Sequence, residues 1–375
     1  AVGTLSLSTN TTGGNNVSLG LCSLFSNTTA SDNTAIGGVA LLSNTTGSNN
    51  TSVGSGSLLT NTTGASNVAV GKDALKRNTT AVSNTAVGIN ALCANTTGCC
   101  NTAIGHEALK TNTTANDSVA VGNLALRENL GPNNTALGAY SLQANTTGAS
   151  NVAVGQGASN ANTTGCKNVV VGAEAFDTNT TGNSNTTIGH LSLTANTTGG
   201  SNVAVGADSM AKNTTGGLNT SIGKCAGCNI TTGAGNIALG KIAGTDGVFN
   251  LTTENDRLVL GHNSITNAYI KVALTVTSDL RDKTNFGTVP HGLDFINKLE
   301  PVSFQFKKSR EDNTPHGDLR YGFKAQDIMV LEGDNPVIID DEQPDHLKYN
   351  GEALVPVLVN AIKELTKKIK DLEDK

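Results

Sequence analysis

The stretch NVAVGKDALKRNTTAVS, residues 67–83, is one full copy of a motif that recurs along most of this chain. When the copies are aligned on Gly71 they follow one another every 17 residues, except for one 16-residue step from Gly122 to Gly138. A looser copy ends at Gly261 in RLVLG. A repeat of this length is too short for a helix pair and is typical of one coil of a β-solenoid.

Each repeat is predicted to supply two short β segments. In the first, Val68 and Val70 alternate with Ala69 and therefore point to the opposite face of the strand. The second is predicted at Ala74 and Leu75, so that stacked coils form ladders of Val and Leu about 4.8 Å apart. The Asn-Thr-Thr-Gly stretch is predicted to turn, because Asn and Gly tolerate positive φ and Thr hydroxyls bind exposed backbone groups.

The position of Ala69 holds a small residue in nearly every repeat, and a strand face that stays small permits another backbone to approach closely. The equivalent residues are Ser18, Ala35, Ser52, Ala86, Ala103, Ala120, Ala136, Ala153, Ala204 and Ala238. A 17-residue coil also encloses little interior, so one isolated solenoid is expected to be marginally stable. Both features favour three chains that share one fibre axis.

Charge and hydropathy exclude two classes of partner. Residues 1–250 carry nine Lys/Arg and nine Asp/Glu, and the last 125 residues carry 16 and 21. Neither part offers a basic patch, so nucleic acid is not an expected partner. No apolar run approaches the length of about 18 residues that a membrane-spanning helix needs, so membrane insertion is not expected.

The seven cysteines predict neither a cofactor nor a metal site. Cys225 and Cys228 form a C-x-x-C without a second Cys or His pair, so small apolar roles in the repeat are preferred to metal or redox chemistry. Thiols without a disulfide framework favour assembly in a reducing cytoplasm. The twelve Asn-Thr-Thr sequons between Asn10 and Asn213 fit glycan acceptors, but their fixed place in the repeat favours turn chemistry.

The chain changes character at TSDLRDK, residues 277–283. Beyond it, LDFINKLEPVSFQFKK predicts a short helix followed by a strand in which Val302, Phe304 and Phe306 alternate. The C-terminal stretch predicts one long helix with an apolar seam spaced 3, 4, 3, 4, 3, formed by Val355, Leu358, Ile362, Leu365, Ile369 and Leu372. This heptad seam favours a parallel trimeric coiled coil over a monomeric amphipathic helix.

The motifs of the two regions resemble two known families. The repeats, over residues 1 to about 262, resemble the heads of trimeric autotransporter adhesins, which form a trimeric left-handed parallel β-roll from an N-S-V-A-I-G-like motif of usually shorter period. Residues 275–375 resemble the C-terminal intramolecular chaperone and auto-processing peptidase domain of endosialidase tailspikes and other phage tail fibres. The matching motifs are SDLRDK at 278–283, LEPVSF at 299–304, YGFKAQD at 321–327 and Tyr349-Asn350.

The second resemblance implies a domain that trimerises, drives folding of the β-rich shaft and then cuts itself off. It assigns Ser278 as the nucleophile, Lys283 as the general base and the Thr277–Ser278 bond as the cleavage site. A serine needs a partner that takes its proton, and burial favours the neutral amine that a lysine needs for this. Taken alone, S-D-x-R-x-K is typical of a solvated surface turn, and His291, His316 and His346 are further candidates to assist.

The expected fold is mainly β, a trimeric parallel β-solenoid of 17-residue repeats followed by a small α+β domain. The expected domains are a shaft at 1–262, a connector at 263–277 and a chaperone domain at 278–375 with a coiled coil from about 354. The expected function is a homotrimeric viral tail or capsid fibre that is assembled in the host cytoplasm, resides in the virion and binds a glycan or protein receptor on the host surface. The chain opens inside a repeat, so we expect other virion proteins to bind a missing N-terminal region.

Two alternatives remain open at this point. One is a bacterial trimeric surface adhesin, and the other is a depolymerising tailspike enzyme. A glycosidase needs two paired carboxylates in a cleft. The acids of the repeats are few and scattered, which disfavours the enzyme: Asp32, Asp73, Glu107, Asp117, Glu174 and Asp208. The acidic run at 340–342 is predicted to be a solvated loop rather than a metal site.

Overall fold

The computed structural model describes residues 1–246, 249–262, 264–265, 269, 278–307, 310–334, 336–342 and 344–374. The chain divides into two compact units, Ala1–His262 and Asn263–Lys375.

The first unit is a parallel β-solenoid. Its described residues form a sheet of fifteen three-residue strands in which neighbours in sequence are neighbours in space. Successive strands pair in register, as Val68 does with Thr85. The offset between strands is 17 residues except for 16 between β7 and β8 and 21 between β14 and β15. The strands are β1 Val17–Leu19, β2 Thr34–Ile36, β3 Thr51–Val53, β4 Val68–Val70, β5 Thr85–Val87, β6 Thr102–Ile104, β7 Val119–Val121, β8 Thr135–Leu137, β9 Val152–Val154, β10 Val169–Val171, β11 Thr186–Ile188, β12 Val203–Val205, β13 Thr220–Ile222, β14 Ile237–Leu239 and β15 Leu258–Leu260.

The central residue of each strand, which is small in most strands, points into the solenoid of its own chain. Ala69 is fully buried, whereas Val68 and Val70 face outward and are half-buried. The same pattern of a buried centre between more exposed flanks holds in all fifteen strands. Ala69 packs in one continuous core with Leu75 and their counterparts in other coils. The small face is therefore not open to a neighbouring backbone, and that prediction is wrong, because this face is buried against the leucines inside the chain's own narrow coil.

The second predicted β segment is a series of turns. Asp73, with φ of 56°, and Leu75, with φ of 49°, both adopt the left-handed conformation. Leu75 is nevertheless fully buried, and its backbone N–H donates to Ala91 O of the next coil at 3.0 Å. A strand here would continue straight, whereas left-handed residues bend the chain around the core within one short coil.

The Asn-Thr-Thr-Gly stretch forms the predicted turn, but through side chains rather than through positive φ at Asn61 or Gly64. Asn61 Nδ2 donates to Gly64 O at 2.9 Å and to Asn44 Oδ1 of the preceding coil at 2.8 Å. Thr62 Oγ1 donates to Thr79 O at 3.1 Å. Eleven of the twelve sequon asparagines are completely buried, which supports turn chemistry over glycan attachment.

Cys225 and Cys228 form a disulfide. The prediction that both are unpaired apolar side chains is therefore wrong. Left-handed φ values at Cys225 and Gly227 curl the chain and leave the two cysteine Cα atoms 5.0 Å apart. Within the described ranges, no group of three or more His, Cys, Asp and Glu residues is arranged to hold a metal ion. No helix in the same ranges is long and apolar enough to cross a membrane.

The second unit is a small α+β domain with the predicted short helix, following strand and long terminal helix. Its elements are a 3-10 turn at Leu280–Asp282, α1 Leu293–Ile296, β16 Val302–Lys307, β17 Pro315–Gly322, α2 Ala325–Glu332, β18 Ile339–Asp340, β19 Lys348–Tyr349, a 3-10 turn at Gly351–Ala353 and α3 Leu354–Glu373. β16 pairs with β17 and β18 with β19, both antiparallel. A compact core brings together Phe295, Ile328, Ile338, Ile339, Leu354 and Val357.

Candidate self-cleavage site

Ser278 and Lys283 lie side by side at the start of the second unit. Lys283 Nζ donates a hydrogen bond to Ser278 Oγ at 2.6 Å. The intervening 3-10 turn folds the chain back, since Lys283 N donates to Leu280 O at 3.2 Å. Both side chains of the pair are exposed. Thr277, the other residue of the predicted scissile bond, lies outside the described residues.

Asp279 and Arg281 hold this turn together. Asp279 Oδ1 caps the turn by accepting a hydrogen bond from Arg281 N at 2.9 Å. The Arg281 guanidinium also binds both carboxylate oxygens of Asp279, with Nη2 at 2.6 Å from Oδ2. These hydrogen bonds lower the pKa of the Asp279 carboxyl and raise the pKa of Arg281. Sequence reasoning assigned no role to either residue, although an acid two positions before an arginine at a helix start is a recognisable cap signal.

Residues 291–293, which follow the dyad in sequence, are hydrogen-bonded to the terminal helix α3. Asn360 Nδ2 donates to His291 O at 3.0 Å, and Glu364 Oε2 accepts a hydrogen bond from Leu293 N at 2.9 Å. Gly292 leaves space for this carboxylate, because a Cβ at that position would collide with Glu364. Asn360 and Glu364 are four residues apart and therefore lie on one face of α3. Sequence reasoning missed them because polar residues beside a heptad seam are usually solvated.

The three histidines that were candidates to assist make contacts elsewhere in the domain. His291 stacks on Phe295, His316 faces Ser264, and His346 faces Arg310. In the predicted acidic loop, Asp340 instead ends a short strand and pairs with Lys348 at 3.2 Å. None of these contacts brings a second base to Ser278.

The segment that carries the dyad is also the part of the chain that matches a known family. Residues 278–331 match the family described as chaperone of endosialidase. The match begins at Ser278, the predicted nucleophile. Neither a curated protein nor a solved structure matches the chain. The chain thus combines a β-solenoid with a second unit whose residues 278–331 match the chaperone of endosialidase family.

Downstream of the segment matched to the chaperone of endosialidase, α3 has two apolar faces. One face packs inside its own domain through Leu354, Val357 and Ala361, which are buried. The other is the predicted heptad seam, and all six of its residues are between 40% and 69% exposed. A single chain therefore leaves this seam in contact with water, which is the condition in which a second helix binds favourably.

Proposed function

We propose that the chain is a homotrimeric viral fibre protein whose β-solenoid is the shaft and whose C-terminal domain assembles three chains and then releases itself. The observation that carries the proposal is the 2.6 Å contact between Lys283 Nζ and Ser278 Oγ at the first residue of the chaperone match. The shaft stays in the virion and contacts a receptor on the host surface.

The uniformity of the shaft explains why a chaperone is needed. Neighbouring chains built from nearly identical coils can pair with almost the same energy after a slip of one coil, which is about 4.8 Å. The non-repeating C-terminal domain provides one defined end. Three copies of the exposed α3 seam align in a parallel coiled coil and so bring the three shafts into a common register.

The cleavage chemistry follows from the position of Ser278 beside its own target. Neutral Lys283 takes the hydroxyl proton, and Ser278 Oγ attacks the carbonyl carbon of Thr277. The bond from that carbon to the Ser278 nitrogen then breaks, the nitrogen leaves protonated as an amine, and an ester joins Thr277 to Ser278 Oγ. Water hydrolyses the ester, which leaves a Thr277 carboxylate and a free Ser278. Proximity replaces a substrate pocket, and a single turnover completes maturation.

Assembly of three chains supplies the exclusion of water from the dyad that a single chain lacks. Both dyad side chains are exposed in the single chain, whereas a lysine acts as a general base only as the neutral amine, which burial favours. Packing of three chains around the segment would exclude water and favour the neutral amine. Asn360 and Glu364 of α3 are hydrogen-bonded to residues 291–293, which follow the dyad in sequence. Ordering of the coiled coil therefore also restrains the chain near the dyad. Cleavage is therefore proposed to follow trimer formation.

The test is expression of the full chain beside Ser278→Ala and Lys283→Ala, with Lys298→Ala as the matched control. Lys298 is an exposed lysine of the same domain outside the dyad. On a denaturing gel the wild type and the control should yield a fragment from Ser278 to Lys375, whereas both dyad variants stay whole. A wild type that stays intact while it forms stable trimers would refute self-cleavage and leave the chaperone role. A single-chain mass in solution would refute the fibre.

A further inference from the structure

The outer sheet face, formed by the first and third residues of strands β1 to β15, is uncharged and carries an unbroken row of aliphatic side chains. The third position holds Val, Ile or Leu in every strand, and the first holds Val, Thr, Ile or Leu. These side chains point away from the chain's own core and are partly exposed, with Ile104 at 40%, Ile188 at 41% and Ile222 at 44%.

Charge is absent from this face although it is present elsewhere on the shaft. The nine Lys/Arg and nine Asp/Glu of residues 1–250 all lie in the turns between strands. Several of them pair there, as Glu107 does with Lys110 at 2.7 Å and with Arg127 at 3.0 Å. A face exposed to water over fifteen coils would be expected to carry such residues as well.

The size of the outer sheet face matches an interface between proteins. Fifteen strands about 4.8 Å apart and three residues wide give a surface about 70 Å long and about 10 Å wide, or about 700 Å². Apolar patches on monomers usually reach about 300–600 Å². A standard interface buries about 800 Å² on each partner, so the face is of interface size.

We propose that the outer sheet face packs against the same face of further copies of this chain and forms the lateral contact of the shaft. The inference rests on the proposed homotrimer and identifies the surface that its shafts share. In a ring of parallel chains, cyclic symmetry sets each coil at the height of the same coil in its neighbours. Aliphatic side chains then meet their equivalents along the whole shaft, and the charged turns remain in water.

The experiment introduces the photo-crosslinking residue benzoylphenylalanine at position 104 or 188 in the full chain. The control positions are 5 and 140, where Leu5 is 54% and Tyr140 is 39% exposed in turns outside the strands. After irradiation, denaturing gels should show chain-to-chain adducts from positions 104 and 188 and none from positions 5 and 140. Mass in solution is measured on the same samples.

A three-chain mass without adducts from positions 104 and 188, or with equal adducts from the control positions, overturns the inference and leaves the trimer intact. In the first case, the outer sheet face is free for another partner. A single-chain mass refutes the proposed homotrimer itself, so the two failures are distinguishable.

A second arm tests the energetics of the same face. The combined substitution of Ile104, Ile188 and Ile222 by Thr keeps strand-forming residues, since Thr already occupies the first position of seven strands. The variant trimer should dissociate at a concentration at least about tenfold higher than the wild type, because apolar area is lost from the interface. Unchanged dissociation would overturn the inference.

Discussion

Replacing Asn95 with alanine is expected to open the shaft locally far more than replacing Asn112, which occupies the same position one coil later. Both asparagines are completely buried, and both lose the same volume. They differ in hydrogen bonding. Asn95 Nδ2 donates to Asn78 Oδ1 at 3.0 Å, and Asn95 Oδ1 accepts from Asn112 Nδ2 at 3.1 Å. Asn112 Oδ1 has no hydrogen-bond partner in the described part of the chain.

The break after Asn112 has a structural cause. The next coil is the one with 16 residues, and its asparagine, Asn129, donates to Gly131 O at 2.8 Å instead of to Asn112. The ladder restarts when Asn145 Nδ2 donates to Asn129 Oδ1 at 2.7 Å.

The magnitude follows from the groups that each substitution leaves unsatisfied. Asn95→Ala leaves Asn78 Oδ1 and one N–H of Asn112 without a hydrogen-bond partner. Gly98 O is not left unsatisfied, because it keeps a second donor, Asn84 Nδ2, at 2.9 Å. A buried polar group without a partner costs about 1–3 kcal/mol, so the two cost about 2–6 kcal/mol.

Asn112→Ala leaves Asn95 Oδ1 without a hydrogen-bond donor. The free-energy cost of this change is offset because the substitution also removes Asn112 Oδ1, which already lacks a partner. Ala115 O keeps its other donor, Asn101 Nδ2, at 2.9 Å. The two variants should therefore differ by about 2–6 kcal/mol, and a difference of about 3 kcal/mol within this range is about 100-fold in the local opening constant.

The assay is native-state hydrogen exchange, because a solenoid opens locally rather than in one global step. The reporters are the amide of Thr96, which donates to Thr113 O at 2.9 Å, and the amide of Thr111, which donates to Arg127 O at 3.0 Å. For each variant, the exchange rate of its reporter amide is divided by the wild-type rate. This ratio should be about 100-fold larger for Thr96 in Asn95→Ala than for Thr111 in Asn112→Ala. Equal acceleration in the two variants would refute the hydrogen-bond reasoning and assign the effect to lost volume alone.

Three further predictions concern the close contact between glycines of successive coils, pH and assembly. Gly37 has a φ of 134°, and a Cβ there would lie 2.7 Å from Gly54 O, whereas Gly38 has open space around it. Gly37→Ala should lower stability by more than about 2 kcal/mol, and Gly38→Ala by less than about 0.5 kcal/mol. The measurement is a thermal melt followed by circular dichroism, and equal melting temperatures of the two variants would contradict the importance of this glycine contact. Hydrogen bonds from Lys110 and then Arg127 lower the pKa of Glu107 despite partial burial. Its ionised form therefore stabilises the shaft above the ordinary carboxyl pKa of about 4.3 and loses this effect as pH falls through the lowered value. Glu107→Gln should remove about 0.5–1 kcal/mol of stability at neutral pH and none below that range, and a pH-independent difference would count against the assignment. Ile362→Lys with Leu365→Lys, in the seam, should prevent trimer formation in light-scattering mass measurements, whereas Val330→Lys, at an 81% exposed position of α2, should leave it intact; trimers in both variants would show that the seam is not needed.

Much of the fold is written directly in the repeat. The spacing of the aligned glycines predicts the strand offset, including the single 16-residue step that appears between β7 and β8. The 3, 4 spacing predicts the exposed seam of α3. These features were predictable because each depends only on the order and period of residues along one chain.

The candidate site was predictable in part. Ser278 and Lys283 were identified through a family resemblance, and the structure brings their side chains within 2.6 Å. The clamp of Asp279 on Arg281 and the bonds of Asn360 and Glu364 to the segment after the dyad were not predicted. The last two join residues about 70 positions apart, and a single sequence contains no signal for such a contact.

The face that each strand turns inward is what the tertiary structure decided. By itself, the alternation of Val68, Ala69 and Val70 determines that neighbours point to opposite faces, and the period determines that equal residues stack. It does not say which face lies inside. Only closure of a 17-residue coil decides this, because the interior of so short a coil already holds the buried Leu75 and its counterparts and favours small side chains at the strand centre. Alanine therefore fills the interior, and the valines are left on the outside.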